Sequence, residues 1–328
     1  MKKILFATTA LIATASVAAA DVRLSGYGRF GLDYNDANDR DINGVSKTNI
    51  TSRLRLQFDM STESDSGVSF GARYRAQAES RDNNPGGAFF NGARFFASYE
   101  GFTLYVGNII GAIENMPGLY LETRSAGTGI DGASFVSLVT NVSDEYFNWD
   151  AYSSNNVGAN GVEVLYSANG FVGHLSYSTD NGALAVDRIA AMGAYTFGDW
   201  RVSVAAQDSD LLWEDKVAIA IAGDIGQFGV RLAYADNDGI QKFGLYGNMD
   251  IGAASNVLLW VTDEDAVDAA DVAAGRGDNT DATGNGGEGT AYGIHYSYDL
   301  GGGVSFETGY RNASNDNDTF QAGVYFSF

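Results

Sequence analysis

The feature that most constrains this chain is alternation. In DVRLSGYGRFGLDY, Val22, Leu24, Phe30, Leu32 and Tyr34 fall on one parity, while Arg23, Ser25, Tyr27, Arg29 and Asp33 fall on the other. Successive side chains of a β-strand point to opposite faces, so this spacing makes one apolar and one polar face. The split recurs in SRLRLQFDM, where Leu54, Leu56, Phe58 and Met60 oppose Arg53, Arg55, Gln57 and Asp59. It recurs again in VSFGARYRAQAE, where Val68, Phe70, Ala72 and Tyr74 oppose Arg73, Arg75, Gln77 and Glu79. With 45% hydrophobic and 19% charged residues the chain is neither disordered nor a bundle of apolar helices, which leaves β structure.

The first twenty residues read as an export signal. Lys2 and Lys3 form a positive start, an apolar run too short for a comfortable transmembrane helix follows, and Ala18, Ala19 and Ala20 supply the small residues a signal peptidase needs. Residues 1–20 are therefore expected to be removed, with residues 21–328 forming one domain. No later stretch reaches eighteen uninterrupted apolar residues, so the exported chain is secreted, periplasmic or a membrane β-barrel.

Connection lengths favour the barrel. Glu63 to Gly67, Glu100-Gly101, Asn169-Gly170, Gly198-Asp199 and Gly301-Gly302 are tight, whereas 35–47, 81–91, 110–159 and 263–289 are long and polar. Short turns at one end and long loops at the other, with about sixteen alternating segments, predict an all-β transmembrane antiparallel barrel. The least regular segment is SNVLLWVTDED, in which Leu258, Leu259, Trp260 and Val261 fill both faces. A soluble β-sandwich would also alternate, but it would need a second sheet to cover each apolar face. Tyr27, Tyr34, Tyr99, Tyr177, Tyr195, Phe197, Trp200, Tyr234, Tyr298 and Tyr310 sit where interfacial girdles belong. The last segment, DTFQAGVYFSF, places Phe320, Val324, Phe326 and Phe328 on one face and ends the chain in phenylalanine.

These residues also carry a resemblance. The opening VRLSGYGRFGLDY, the strand SRLRLQF with its TESDSGVSFGARYR hairpin, the long segment after LYVGN and the ending FQAGVYFSF resemble the Rhodobacter-type general-diffusion porins of alphaproteobacteria. The resemblance covers the whole mature chain. It implies a sixteen-stranded, trimeric outer-membrane barrel whose third loop folds into the lumen and narrows it. The PEFGG loop signature of enteric porins is absent.

The arginines choose the inner face, since each would cost roughly 2–4 kcal/mol against lipid near the bilayer midplane. Arg29, Arg53, Arg55, Arg73, Arg75 and Arg94 are thus expected on one basic wall of the lumen, with Asp33, Asp59 and Glu79 as ion-pair partners. The segment from 110 to about 150 is too long for a plain connection, and Ile109, Ile110, Met116, Leu119, Tyr120 and Leu121 need burial. Folded inward, it would carry Glu114, Glu122, Asp131 and Asp144 across from the arginines.

Other constellations are weaker. His174 and Ser176 share an inward face without a third group to orient them as a catalytic pair, and His295 reads as a wall residue. The acidic loops are candidates for structural Ca2+, although 263–289 lacks calcium-loop spacing; no cofactor is required. The triplet Arg276-Gly277-Asp278 matches an adhesion motif at the level expected by chance. No cysteine is present, which excludes thiolate chemistry. The net charge of −21 argues against nucleic acid. Losing Lys2 and Lys3 leaves 18 basic residues against 41 acidic ones, or −23.

The expected function is passive diffusion of small hydrophilic solutes and ions through a weakly cation-selective trimeric pore, without catalysis. The expected surroundings are outer-membrane lipid and lipopolysaccharide. The competing reading is a structural or adhesive barrel with an occluded lumen.

Overall fold

A computed structural model of the chain describes residues 21–80, 86–121, 148–154, 156–179, 186–279 and 287–328. The expected signal segment 1–20 lies outside the described residues. The strands are β1 (Asp21–Asn35), β2 (Thr48–Glu63), β3 (Ser69–Ser80), β4 (Ala88–Phe90), β5 (Arg94–Tyr99), β6 (Phe102–Asn108), β7 (Asn160–Ala168), β8 (Phe171–Thr179) and β9 (Asp187–Phe197). They continue with β10 (Trp200–Ser209), β11 (Lys216–Ile225), β12 (Phe228–Asn237), β13 (Ile240–Ile251), β14 (Ser255–Glu264), β15 (Gly289–Gly301), β16 (Val304–Asn312) and β17 (Asp318–Ser327). One five-residue helix, α1 (Ala269–Ala273), is described, and no described helix is long and apolar enough to cross a membrane.

Apart from β4 and β5, each strand pairs antiparallel with its sequence neighbours, and β1 pairs with both β2 and β17, which closes the sheet into a barrel. β4 and β5 both pair with β3, through Ala76↔Phe90 and Arg73↔Arg94, so they are two halves of one wall strand. The wall therefore has sixteen strands. At the break between them, the Asn91 carboxamide accepts the Arg75 backbone N–H at 2.6 Å and donates to the Ser153 carbonyl at 2.5 Å. The interruption is where the returning long loop joins the wall.

Local chemistry explains the hairpins. Asn169-Gly170 and Asp238-Gly239 take positive φ at both central positions (51° and 82°, 51° and 90°), the backbone that matches strand twist in a two-residue turn. The second of these lies at the long-loop end, where β12 and β13 meet with almost no loop between them.

The outer face is apolar, with Leu54, Phe70, Phe95, Val164, Leu175, Ile219, Leu232 and Leu245 exposed. Nine of the ten girdle candidates share this outward parity. Tyr27 does not: it has the parity of Arg29, stacks on Tyr325 with ring centroids 5.2 Å apart, and lies under the Arg55 guanidinium. A strand-end aromatic follows the pleat before it follows the interface.

The space above Gly26 and Gly28 is taken within the chain. A Cβ at Gly28 would lie 2.3 Å from the Phe326 ring, and one at Gly26 would lie 2.2 Å from the Arg55 carbonyl oxygen and 3.1 Å from Phe328. These glycines seat the C-terminal phenylalanines across the closing seam. The mixed apolar run in β14 also resolves, because Leu259 and Val261 point outward while Leu258 and Trp260 belong to a buried cluster shared with the long loop.

Candidate functional site

After β6 the chain turns into the lumen. Ile113, Met116, Leu119 and Leu121 are buried in one cluster with the inward residues Ala190, Ala194, Ala205, Ala218, Ala220, Ala233 and Ala235 of β9–β12. Alanine at these wall positions leaves the depth that a chain segment needs, and a Cβ at Gly118 would come within 3.0 Å of the Ala220 Cβ. An aqueous lumen does not demand apolar side chains on an inner wall, so this half of the wall is built to hold the loop.

Polar pins fix the segment along its length. Glu163 of β7 accepts the backbone N–H groups of Gly111 at 3.0 Å and Ile110 at 3.3 Å, while Arg94 Nε donates to it at 2.7 Å and His174 Nε2 lies 2.9 Å away. Ser176 Oγ accepts the Ala112 N–H at 2.9 Å, Ser203 Oγ donates to the Pro117 carbonyl at 2.5 Å, and Arg231 donates to the Tyr120 carbonyl at 2.6 Å. The returning arm is held by Arg188, which reaches Asp150 at 3.2 Å and grips Glu214 with two bonds of 2.7 Å, and by Gln207, which donates to the Asn148 carbonyl at 2.8 Å.

The opposite wall carries the arginines. Arg53 pairs with Glu79 at 2.6 Å and Arg73 with Asp59 at 2.5 Å. Arg55 donates to Gln77 at 2.8 Å, and Arg75 donates to Gln57 at 2.9 Å beneath the ring of Tyr152. Arg29 is buried at the rung opposite Arg53. Arg94 stands apart from these: it is buried against Glu163 and over the Tyr105 ring, on the loop's anchor rather than on the ladder of β2 and β3.

Of the four expected loop carboxylates, Glu114 is the one that lies among the described residues. It is half-buried, accepts hydrogen bonds from Tyr120 Oη and from Trp149 Nε1 at 3.0 Å, and lies within the fields of Arg75 and Arg55. Its surroundings of protein atoms push its pKa up to about 7, with the Tyr120 and Trp149 hydrogen bonds and then the two arginines opposing that rise. Glu122, Asp131 and Asp144 lie outside the described residues.

His174 and Ser176 are both engaged in anchoring the loop, and His295 Nε2 lies 3.0 Å from Glu307 in the wall. Arg276 of the adhesion-like triplet is buried, donating to the carbonyls of Asn237 at 2.8 Å and Asp238 at 2.7 Å. Its guanidinium ties the loop after α1 onto the β12–β13 turn. Among the described residues no group of three or more His, Asp or Glu is arranged to hold a metal ion. Sequence reasoning missed Glu163, Arg188 and Glu214. The available signal was a lone acid at inward parity between Val162 and Val164.

A closed sixteen-strand barrel with an apolar, aromatic-belted exterior and a charged interior crossed by its own loop defines an outer-membrane channel protein. The Gram-negative porin family model matches residues 7–318, and the chain belongs to that family and resides in the outer membrane. It is 30% identical to a porin of Fuscovulum blasticum and 27% identical to one of Rhodobacter capsulatus, each over 94% of this chain and 100% of the relative. Among solved structures, a triple mutant of the Rhodopseudomonas blastica porin is similar at 28% identity and a TM-score of 0.74, with 94% of this chain and all of that chain covered.

Proposed function

We propose that the chain conducts small hydrophilic solutes and ions passively, with weak cation preference, and does so as a homotrimer without catalysis. The observation that carries this reading is the loop segment held inside the barrel by Glu163, Ser176, Ser203 and Arg231 while Arg53, Arg55, Arg73 and Arg75 stand on β2 and β3; in this reading Glu114 faces Arg55 and Arg75. Opposed charges across a narrow lumen set up a transverse field, which orders water and disfavours apolar solutes that would have to displace it. The acidic mouth acts separately, raising the local cation concentration. Membership in the porin family supports a trimer, and the apolar, aromatic-belted outer face suits it to outer-membrane lipid and lipopolysaccharide. In this reading the mature chain starts at Asp21, structural Ca2+ belongs in the acidic outer loops, and no cofactor is required.

Reversal potentials in a salt gradient test the reading. Changing Glu114, Glu122, Asp131 and Asp144 to their amides is expected to shift the pore toward anions, and neutralising Arg29, Arg53, Arg55, Arg73, Arg75 and Arg94 to strengthen cation preference. Both effects are expected to fade at high salt, where the Debye length shrinks to about 3 Å. Absence of discrete ohmic steps in planar bilayers would leave the occluded, adhesive barrel as the better account.

A further inference from the structure

The inward positions of β2 and β3 carry the same four-residue series. Arg53, Arg55, Gln57 and Asp59 on one strand face Arg73, Arg75, Gln77 and Glu79 on the other, and the antiparallel register makes the series self-complementary. The outer rungs, Arg53 with Glu79 and Asp59 with Arg73, are ion pairs. The inner rungs, Arg55 with Gln77 and Gln57 with Arg75, are not.

The glutamines hold a fixed orientation. Gln57 donates its amide to Asp59 at 2.8 Å and Gln77 donates to Glu79 at 3.4 Å, which turns each carbonyl oxygen toward the Nε of the arginine opposite. Four guanidiniums therefore share two carboxylates, and the surplus positive charge sits on Arg55 and Arg75. Among the described residues neither has a carboxylate partner. Each is steadied by a tyrosine face, Tyr27 at 5.0 Å for Arg55 and Tyr152 at 4.5 Å for Arg75. Among the described residues, the one hydrogen bond from a terminal guanidinium nitrogen of either is a 3.5 Å contact from Arg75 Nη1 to Ser154.

We propose that Arg55 and Arg75 form a seat for a dianionic oxyanion of the phosphate or sulfate class, which pauses there while crossing the lumen. The proposal rests on the pore reading above. Two neighbouring like charges repel, and a dianion relieves that repulsion more fully than a monoanion does. Planar forks whose Nε is already committed present their outer N–H groups to oxygens spread about one centre, which a chloride ion lacks. The stacked tyrosines reduce the ordering cost of binding. Glu114 across the lumen opposes any anion, so the seat holds its ligand only briefly.

The test is chloride-carried current through purified protein in planar bilayers, at constant ionic strength, with inorganic phosphate or sulfate added. Wild type is expected to show a saturable fall in current. Arg55→Gln and Arg75→Gln, tested singly because the pair removed together risks misassembly, are each expected to raise the half-blocking concentration by about tenfold or more, as for a lost charge-assisted hydrogen bond. Arg55→Lys and Arg75→Lys keep the charge without the fork and are expected to weaken block similarly. A fall in current that never saturates, or block as tight in the lysine variants as in wild type, would overturn the seat. A wild type that conducts no discrete steps would overturn the pore reading instead.

Discussion

The carboxylate of Glu163 accepts the backbone N–H of Gly111 at 3.0 Å, joining the barrel wall to the first turn of the inserted loop. Gly111 has φ of 86°, and a Cβ there would meet the Asp150 carbonyl oxygen at 2.5 Å, so the outgoing and returning arms of the loop pass close together at this point. Arg94 and His174 complete the shell around Glu163.

Removing the Glu163 charge should therefore free the loop without opening the barrel. Glu163→Gln leaves Arg94 buried beside a neutral amide, a loss of about 3–5 kcal/mol by analogy with broken buried pairs. The closed strand ladder remains. The expected outcome is a folded barrel with larger open-channel noise and altered conductance in bilayer recordings. Unchanged noise would show that the other polar pins and the apolar face hold the loop without Glu163.

Glu114 should make selectivity pH-dependent near neutrality. Its folded pKa of about 7 lies above its ordinary 4.5, so the folded chain binds this proton more tightly than the unfolded chain does. The associated loop stability is fully present below about 4.5 and is lost as pH rises through about 7. Over the same rise the side chain becomes a carboxylate, and cation preference should grow. Reversal potentials measured across this interval in wild type and Glu114→Gln check it, the variant being expected to lose that dependence.

The alanine wall should not tolerate bulk. Ala220→Leu drives a larger side chain into the space beside Gly118, an overpacking cost of about 1–3 kcal/mol. The loop, being the less constrained partner, should shift rather than the strand. The expected result is an altered single-channel conductance with the thermal unfolding of the barrel nearly unchanged.

Arg276→Ala should release the outer loop that follows α1. Two hydrogen bonds from a charged donor, each about 1.5–3 kcal/mol, tie it to the β12–β13 turn. Limited proteolysis of folded protein should cut within 265–279 markedly faster in the variant than in wild type. Equal rates would place the restraint elsewhere.

Much of this was legible before folding. Alternation such as Leu54 and Leu56 against Arg53 and Arg55 specified strands, their number and which face meets lipid, because the pleat has a period of two and lipid excludes charge. The tight turns and the inserted loop's need for burial were equally plain, since Asn-Gly pairs and apolar residues on a long connection each admit few conformations. Tyr27 was misread because its role depends on Tyr325, some three hundred residues away and adjacent only once the barrel closes.

What only tertiary structure decided is which charge meets which. Parity put six arginines inside, but cross-strand register separated Arg53 and Arg73, neutralised by acids, from Arg55 and Arg75, which face glutamines. Likewise Arg94, identical to them in pattern, became the partner of Glu163 when the loop entered beside it. A periodic sequence assigns a side chain to a face. Its electrostatic state depends on atoms within a few ångströms, and those are supplied by neighbouring strands and by a loop whose position no local pattern encodes.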